Sequence, residues 1–322
     1  MLENIKNKKI FISALDWGWG HCIRTAAIIQ QLKSYNEIII FASTNQINFF
    51  SPLFPDIRIE KISSYNINFH PYNFLDNFSL IKIFQAIQQE QQILKQFIHQ
   101  NFLPDVIISD QRYGFYHPSA YNIFITHQIN LQIPFYLKFI NNIHHILLKK
   151  FNEIWIPDYE DINSSLAGKL SHSQSKYFNK KIKYIHPQSL MKKKTKEKKI
   201  DYLFIISGTG TEKNYYEKYF TEIAHQLLDK NTSLIIKIIG GNKCDNNIYL
   251  GWKNFIEVND LISSTKNVVI RPGYSTLMDW HLIKDEIQKL FLVEPKFQFE
   301  QKYLYSYWIS KNWAYPIDNL FK

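Results

Sequence analysis

The stretch Lys9-Ile10-Phe11-Ile12-Ser13-Ala14-Leu15-Asp16-Trp17-Gly18-Trp19-Gly20-His21-Cys22-Ile23-Arg24 decides the fold. Residues 10–14 are mostly apolar, without regular polar alternation, as in a strand buried on both faces. A glycine loop follows at once, and residues 24–33 then carry apolar side chains at helical spacing. Working outward, strands are expected at 37–42, 105–110, 122–126 and 153–157, with a long helical segment at 80–101. Strands alternating with helices imply a parallel sheet covered on both faces.

Residues 191–199 interrupt the pattern. They hold Lys192, Lys193, Lys194, Lys196, Lys198 and Lys199 with almost nothing apolar, which reads as a solvated linker. Beyond it the pattern restarts, with strands at 202–206, 234–239, 268–270 and 290–293 and a helix at 215–228. The expected organisation is a first domain over 1–187, a basic linker over 188–199, and a second domain over 200–322 with a short terminal helix.

Composition narrows the class. With 45% apolar residues in 322, the chain can bury a sizeable core, which excludes disorder of the whole chain. Its two cysteines, Cys22 and Cys244, are far apart and form neither a disulfide framework nor a zinc site between them. A reduced, cytoplasmic protein is expected. The start is too polar for a signal peptide, so none is expected, and no stretch approaches the ~20 apolar residues of a spanning helix. The net charge of +10 suits an anionic partner such as phosphate, nucleic acid or an acidic membrane surface. It equally suits a general enrichment in lysine. No nucleic-acid-binding motif is present, so nucleic acid is not an expected partner.

The chain has ten glycines, and seven of them follow strands directly. Ligands of open α/β sheets bind at the carboxyl ends of strands, where glycine lets backbone N–H groups approach a phosphate or sugar. The first such loop places His21 at a helix start, either as a general base toward a hydroxyl or as a capping or core residue. The second constellation is Ser109-Asp110-Gln111-Arg112-Tyr113-Gly114 together with Thr126-His127-Gln128. Asp110 and His127 are acid–base or hydroxyl-binding candidates, or else members of a structural hydrogen-bond network under the sheet rim. His144 and His145 read as surface or packing residues. In the third, Arg271-Pro272-Gly273-Tyr274-Ser275-Thr276, an arginine, a glycine turn and two hydroxyls at a helix start suit a diphosphate. Glu300, beside Gln301, can hold both hydroxyls of a ribose.

These motifs resemble the GT-B glycosyltransferases, and among them the bacterial family 28 group. That group includes the enzyme that adds N-acetylglucosamine to the lipid-linked peptidoglycan precursor, and predicted lipopolysaccharide N-acetylglucosaminyltransferases of Bacteroidetes type. Trp17-Gly18-Trp19-Gly20-His21 with Arg24 resembles the group's opening motif, 108–116 and 124–128 its middle motifs, and 271–279 with Glu300-Gln301 its donor motifs. There are departures. Ser207-Gly208-Thr209-Gly210-Thr211-Glu212-Lys213 stands where the group has Ser-Gly-Pro-x-Pro-Gln-Arg, His186-Pro187 where it has Gly-Pro, and Pro272 where it has serine.

The resemblance implies an α/β, GT-B fold: two Rossmann-like domains with parallel sheets facing a cleft. It implies an inverting, metal-independent transfer of a sugar, N-acetylglucosamine, from a UDP-sugar to a glycan or lipid-linked acceptor. No cofactor or metal is expected. His21, Asp110 and His127 would be catalytic. Ser207, Gly208, Thr209, Arg271, Gly273, Tyr274, Ser275, Thr276, Glu300 and Gln301 would bind the donor. Gly18, Trp19, Gly20, Arg24, Arg112, Tyr113 and Gln128 would line the acceptor side. A peripheral contact with an anionic inner membrane face is expected through 69–78, with Tyr72 and Phe74. The alternatives are a UDP-sugar 2-epimerase on the same fold and a non-catalytic nucleotide-sugar-binding relative.

Overall fold

Successive residues of the opening strand point to opposite faces, and helices cover both. The computed structural model describes residues 2–65, 80–133, 135–172, 176–208, 210–245, 247–296 and 298–321. The chain divides into two units, Met1–Leu190 and Met191–Lys322.

The first unit is built on β1 (Lys9–Ala14), β2 (Glu37–Ala42), β3 (Arg58–Lys61), β4 (Val106–Asp110), β5 (Tyr121–Ile125), β6 (Glu153–Ile156) and β7 (Ile182–Tyr184). All pairings are parallel, in the order β3-β2-β1-β4-β5-β6-β7. Ile10, Ile12, Ile38, Ile40 and Ile108 pack on one face with Ile28 and Ile29 of α1 (Trp19–Leu32) and Phe50 of α2 (Thr44–Leu53). Phe11, Ile39, Phe41 and Ile107 pack on the other with Leu94 and Phe97 of α3 (Leu80–Gln100). Phe124, Ile154 and Ile156 continue that packing against Leu148 of α4 (Phe139–Leu148) and Phe178 of α5 (Lys176–Asn179). Each fully buried Ile or Phe contributes roughly 1.5–3 kcal/mol.

The second unit repeats the plan on β8 (Ile200–Ile205), β9 (Ile236–Ile239), β10 (Thr265–Ile270), β11 (Lys289–Leu292) and β12 (Tyr315–Pro316), parallel in the order β12-β11-β10-β8-β9. Its helices are α6 (Gly210–Lys230), α7 (Phe255–Ser263), α8 (Tyr274–Ile283) and α9 (Phe299–Ser310). Phe204, Val269 and Phe291 pack with Phe220 and Ile223 of α6. The chain closes in a 3-10 turn, Ile317–Phe321, whose Ile317 and Leu320 enter the same core.

The lysine-rich run is not simply solvated. It lies along the second unit, where Lys193 pairs with Asp285 at 2.6 Å, and Lys194 and Lys196 with Asp260 at 2.7 and 2.9 Å. These pairs are exposed and screened, so they orient the run more than they stabilise the fold. His186 takes φ 59°, the left-handed region that favours glycine, at the place where the resembled group carries Gly-Pro.

Each sheet grows first to one side of its opening strand and then to the other. The reversal falls between β1 and β4 in the first sheet and between β8 and β10 in the second. Helices leave adjacent strands on opposite faces there, which opens a crevice at the carboxyl ends. The three glycine-loop constellations all end at these two places.

Candidate functional site

At the first reversal, β1 and β4 pair with Ala14 opposite Asp110. The chain leaves β1, turns at Gly18 with φ 77°, and enters α1 directly. His21 is thereby carried over the end of β4, and its Nδ1 lies 2.8 Å from Asp110 Oδ1. Arg24 Nη2, which only donates, lies 2.9 Å from the same Nδ1, so carboxylate and guanidinium compete for it; in the tautomer that donates from Nδ1 to the carboxylate, Nε2 is the basic nitrogen. The His21 side chain keeps 17% of its surface exposed, whereas Asp110 is fully buried.

Burial alone would push the Asp110 carboxyl up. The Arg24 guanidinium, the neighbouring His21 and hydrogen bonds from both outweigh it, and hold the carboxyl well below the usual carboxylate range. Arg24 Nε donates to Oδ2 at 2.8 Å, Thr25 Oγ1 donates to the same oxygen at 3.0 Å, and Arg24 Nη2 donates to Oδ1. The anion that orients His21 is therefore fixed from below by α1 itself.

His127 and Gln128 follow β5. His127 Nδ1 lies 3.4 Å from Arg24 Nη1, on the far side of that guanidinium from His21. The Gln128 carbonyl accepts from His144 Nε2 at 3.0 Å, so His144 Nδ1 accepts from the Tyr113 hydroxyl at 2.8 Å. His144 is thus a buried brace between two site loops. Burial, with His145 nearby, pushes it down to about 3 against the opposing effect of its bond to the Gln128 carbonyl, and keeps it neutral.

The acceptor-side expectations divide. Trp19 is exposed and packs against Phe49 with ring centroids 5.7 Å apart. Gly18 and Gly20 flank it at the start of α1. Arg24 and Arg112 do not face outward: both are fully buried. Arg112 donates to the Ala14 carbonyl at 2.7 Å, the Ser63 carbonyl at 3.1 Å and Glu90 Oε1 at 2.6 Å. It braces the end of β1 from behind.

At the second reversal, Arg271 directly follows β10 and is 2% exposed. Its Nη1 donates to the Ser207 carbonyl at 2.9 Å and its Nη2 to Gln301 Oε1 at 3.0 Å. Its guanidinium carbon lies 4.3 Å from the Tyr216 ring centre, and Glu212 Oε1 is 2.7 Å from Nη2. Pro272 is the centre of a three-residue turn in which Gly273 N–H donates to the Arg271 carbonyl at 2.9 Å. A fixed φ suits that turn, so the proline is absorbed without distortion. Gly273 has φ −74°, and a Cβ there would meet nothing nearer than Thr276 Oγ1 at 3.7 Å. Neither backbone nor packing requires this glycine, which leaves the start of α8 open beside Ser275 and Thr276. Tyr274 is buried under that turn, and Glu300 is half-buried on the first turn of α9.

The glycine loop after β9 is occupied differently. The Glu217 carboxylate accepts from the backbone N–H of Asn242 at 2.7 Å and of Lys243 at 2.8 Å. Thr209 and residues 69–78 lie outside the described residues. Among the described residues, no group of three or more His, Cys, Asp or Glu side chains is placed to hold a metal ion. Among them too, no helix is long and apolar enough to cross a membrane.

Sequence reasoning passed over Thr25 and Glu90, and gave no role to Glu212, met only as a departure from the resembled loop, or to Gln298. Thr25 and Glu90 stand on regular helical runs and give no local signal. Glu212 does give one: an acidic side chain in a first helical turn, directly after a loop read as anion-binding.

No protein-family profile matches the chain, and no curated protein matches it. Solved structures do. The glycotransferase of kitacinnamycin superposes with a TM-score of 0.63 at 9% identity, over 97% of this chain and 87% of that one. Spinosyn rhamnosyltransferase SpnG, complexed with thymidine diphosphate, gives 0.60 at 10% identity, over 96% and 86%. Arabidopsis thaliana UGT89C1, complexed with UDP-L-rhamnose, gives 0.62 at 12% identity, over 97% and 85%. Identities this low speak for the fold, and what they show is that the chain has the α/β fold of the GT-B glycosyltransferases, two Rossmann-like units each built on a parallel sheet.

Proposed function

We propose that this chain transfers a sugar from a nucleotide-sugar donor to an acceptor hydroxyl. The observation that carries the reading is the His21–Asp110 pair, at 2.8 Å, at the reversal point of the first sheet. His21 Nε2 takes the acceptor proton as the acceptor oxygen bonds to the anomeric carbon. The bond from that carbon to the donor phosphate breaks, and its electron pair leaves on the nucleoside diphosphate. Asp110 stabilises the imidazolium formed, and Arg24 and Thr25 keep Asp110 in place. Such positioned bases contribute about 10²–10⁴ in rate.

The donor is held by the second unit. The open start of α8 with Ser275 and Thr276, the Arg271 guanidinium and the Ser207-Gly208 loop stabilise the departing diphosphate. Glu300 takes the ribose hydroxyls. SpnG and UGT89C1 were solved with a nucleoside diphosphate and a UDP-sugar, which supports a donor of that class. The resemblance stated above favours UDP-N-acetylglucosamine, inversion at the anomeric carbon, no metal, and a glycan or lipid-linked acceptor. Peripheral contact with an anionic membrane is supported by the net charge and by Phe135, Tyr136 and Phe139, which stand exposed around Lys138.

The test is turnover and UDP affinity measured on the same His21→Ala preparation. Turnover should fall by about 10²–10⁴ with UDP affinity unchanged. Retained turnover removes His21 from the mechanism. Release of a free monosaccharide isomer without acceptor would point to the epimerase instead. UDP binding with no turnover by the unmodified chain would point to a binding protein. Co-sedimentation with anionic vesicles, reversed by salt, tests the membrane contact.

A further inference from the structure

The donor-side arginine already holds an anion, and that anion belongs to the chain. Glu212, in the first turn of α6, places Oε1 2.7 Å from Arg271 Nη2. Gln298 Nε2 lies 3.2 Å from both Glu212 oxygens, and Gln301 Nε2 donates to Gln298 Oε1 at 2.6 Å. The carboxylate lies across Gly208, where a Cβ would come within 3.3 Å of Glu212 Oε2 and 2.4 Å of Arg271 Nη1. Glu212, Arg271, Gln298 and Gln301 thus form a closed network around the glycine loop at the second reversal point.

Two features mark this network as a place for an exchangeable anion. Arg271 is almost wholly buried, yet its Nε has no hydrogen-bond partner among the described residues. A guanidinium buried there needs a negative charge. The charge it has is on the Glu212 side chain, which keeps 12% of its surface exposed and is held by side chains alone. Glu217, further along the same helix, differs: it is buried and its carboxylate is fastened by two backbone N–H groups.

We propose that Glu212 is a carboxylate latch: it occupies the anion position of the donor subsite and must leave for a diphosphate to reach Arg271 and Gln298. The proposal rests on the reading of the second unit as the donor side. A phosphate oxygen would accept from the donors that Glu212 now uses. Two anions cannot share them, because like charges in one site repel strongly. The latch keeps the buried guanidinium compensated while no donor is bound, and it sets a threshold that weak anions do not cross. A glutamine, the residue of the resembled group at this position, keeps the shape and removes the competing charge.

The experiment compares UDP and uridine binding, by calorimetry, to the unmodified chain, Glu212→Gln and Glu212→Ala. Both variants should bind UDP about tenfold more tightly, or better, with uridine affinity unchanged, because the competition acts on the diphosphate alone. UDP should also raise the melting temperature further in the variants, since it then supplies the charge that Arg271 lacks. Equal UDP affinity in all three chains overturns the latch and leaves the donor-site reading intact. Weaker UDP binding by both variants overturns it as well, and makes Glu212 a residue that positions Arg271 for the donor. Failure of all three chains to bind UDP removes the donor-site reading itself.

Discussion

His144 should make the first unit lose stability in mild acid, by an amount the structure allows to be worked out. Its Nε2 donates to the Gln128 carbonyl and its Nδ1 accepts from Tyr113, whose phenol is held protonated well above its ordinary range by burial. The folded imidazole titrates at about 3 against an ordinary value of 6.5. The unfolded chain therefore binds the proton first. Stability is fully present above pH 6.5 and is lost as pH falls from there toward 3. At pH 5 the unfolded state has gained about 1.5 pH units of protonation free energy that the folded state cannot match, or about 2 kcal/mol. His144→Gln offers the same donor and acceptor without titrating. Equilibrium urea unfolding at pH 7.5 and pH 5 should show the unmodified midpoint falling further than the variant's, by about 1 M for a slope near 2 kcal/mol/M. Comparing the two drops cancels the carboxylates and histidines that do not touch His144. Parallel pH dependence in the two proteins would refute a neutral, buried His144.

Three further outcomes are expected. Gly240→Ala should cost about 2 kcal/mol or more, because φ is 84° and the added Cβ would sit 2.2 Å from the Ile206 carbonyl oxygen; an unchanged urea midpoint would contradict this. Gly273→Ala should leave the midpoint unchanged to within about 0.5 kcal/mol while weakening UDP binding, and unchanged affinity would show that no ligand approaches the start of α8. Burial pushes the Cys22 thiol up to about 12 while Cys244 is exposed, so a thiol reagent at pH 8 should label one cysteine in the native chain and the second only on unfolding, as read by mass spectrometry.

The parts of the fold legible in the sequence are those written in local pattern. Residues 10–12, 38–42 and 106–108 are apolar because both faces of those strands are covered, and a run of that kind marks its own place. The glycine loops were legible because a turn directly after a buried strand selects glycine in a chain that otherwise has few. Of the four edge strands, β9 was legible at 234–239 and the other three were not. Arg58–Lys61, Ile182–Tyr184 and Tyr315–Pro316 are short, and at a sheet edge polar residues can stand beside water.

The site divides along the same line. His21, Asp110 and Arg271 stood out by type and by position after strands, which is local information. That His21 and Asp110 touch, 89 residues apart, is decided by the parallel register that sets Ala14 opposite Asp110. That Arg24 and Arg112 serve from within follows from how closely α1 and α3 pack on the sheet, which buries any side chain between them, whatever its charge, provided carboxylates come with it. The pairing of Arg271 with Glu212 likewise joins a strand end to a helix start across the second reversal point. The sequence by itself determined which residues carry charge and where the chain turns. The tertiary structure decided which charges meet, because ion pairs form between neighbours in space, and only the order of strands in the sheets fixes those neighbours.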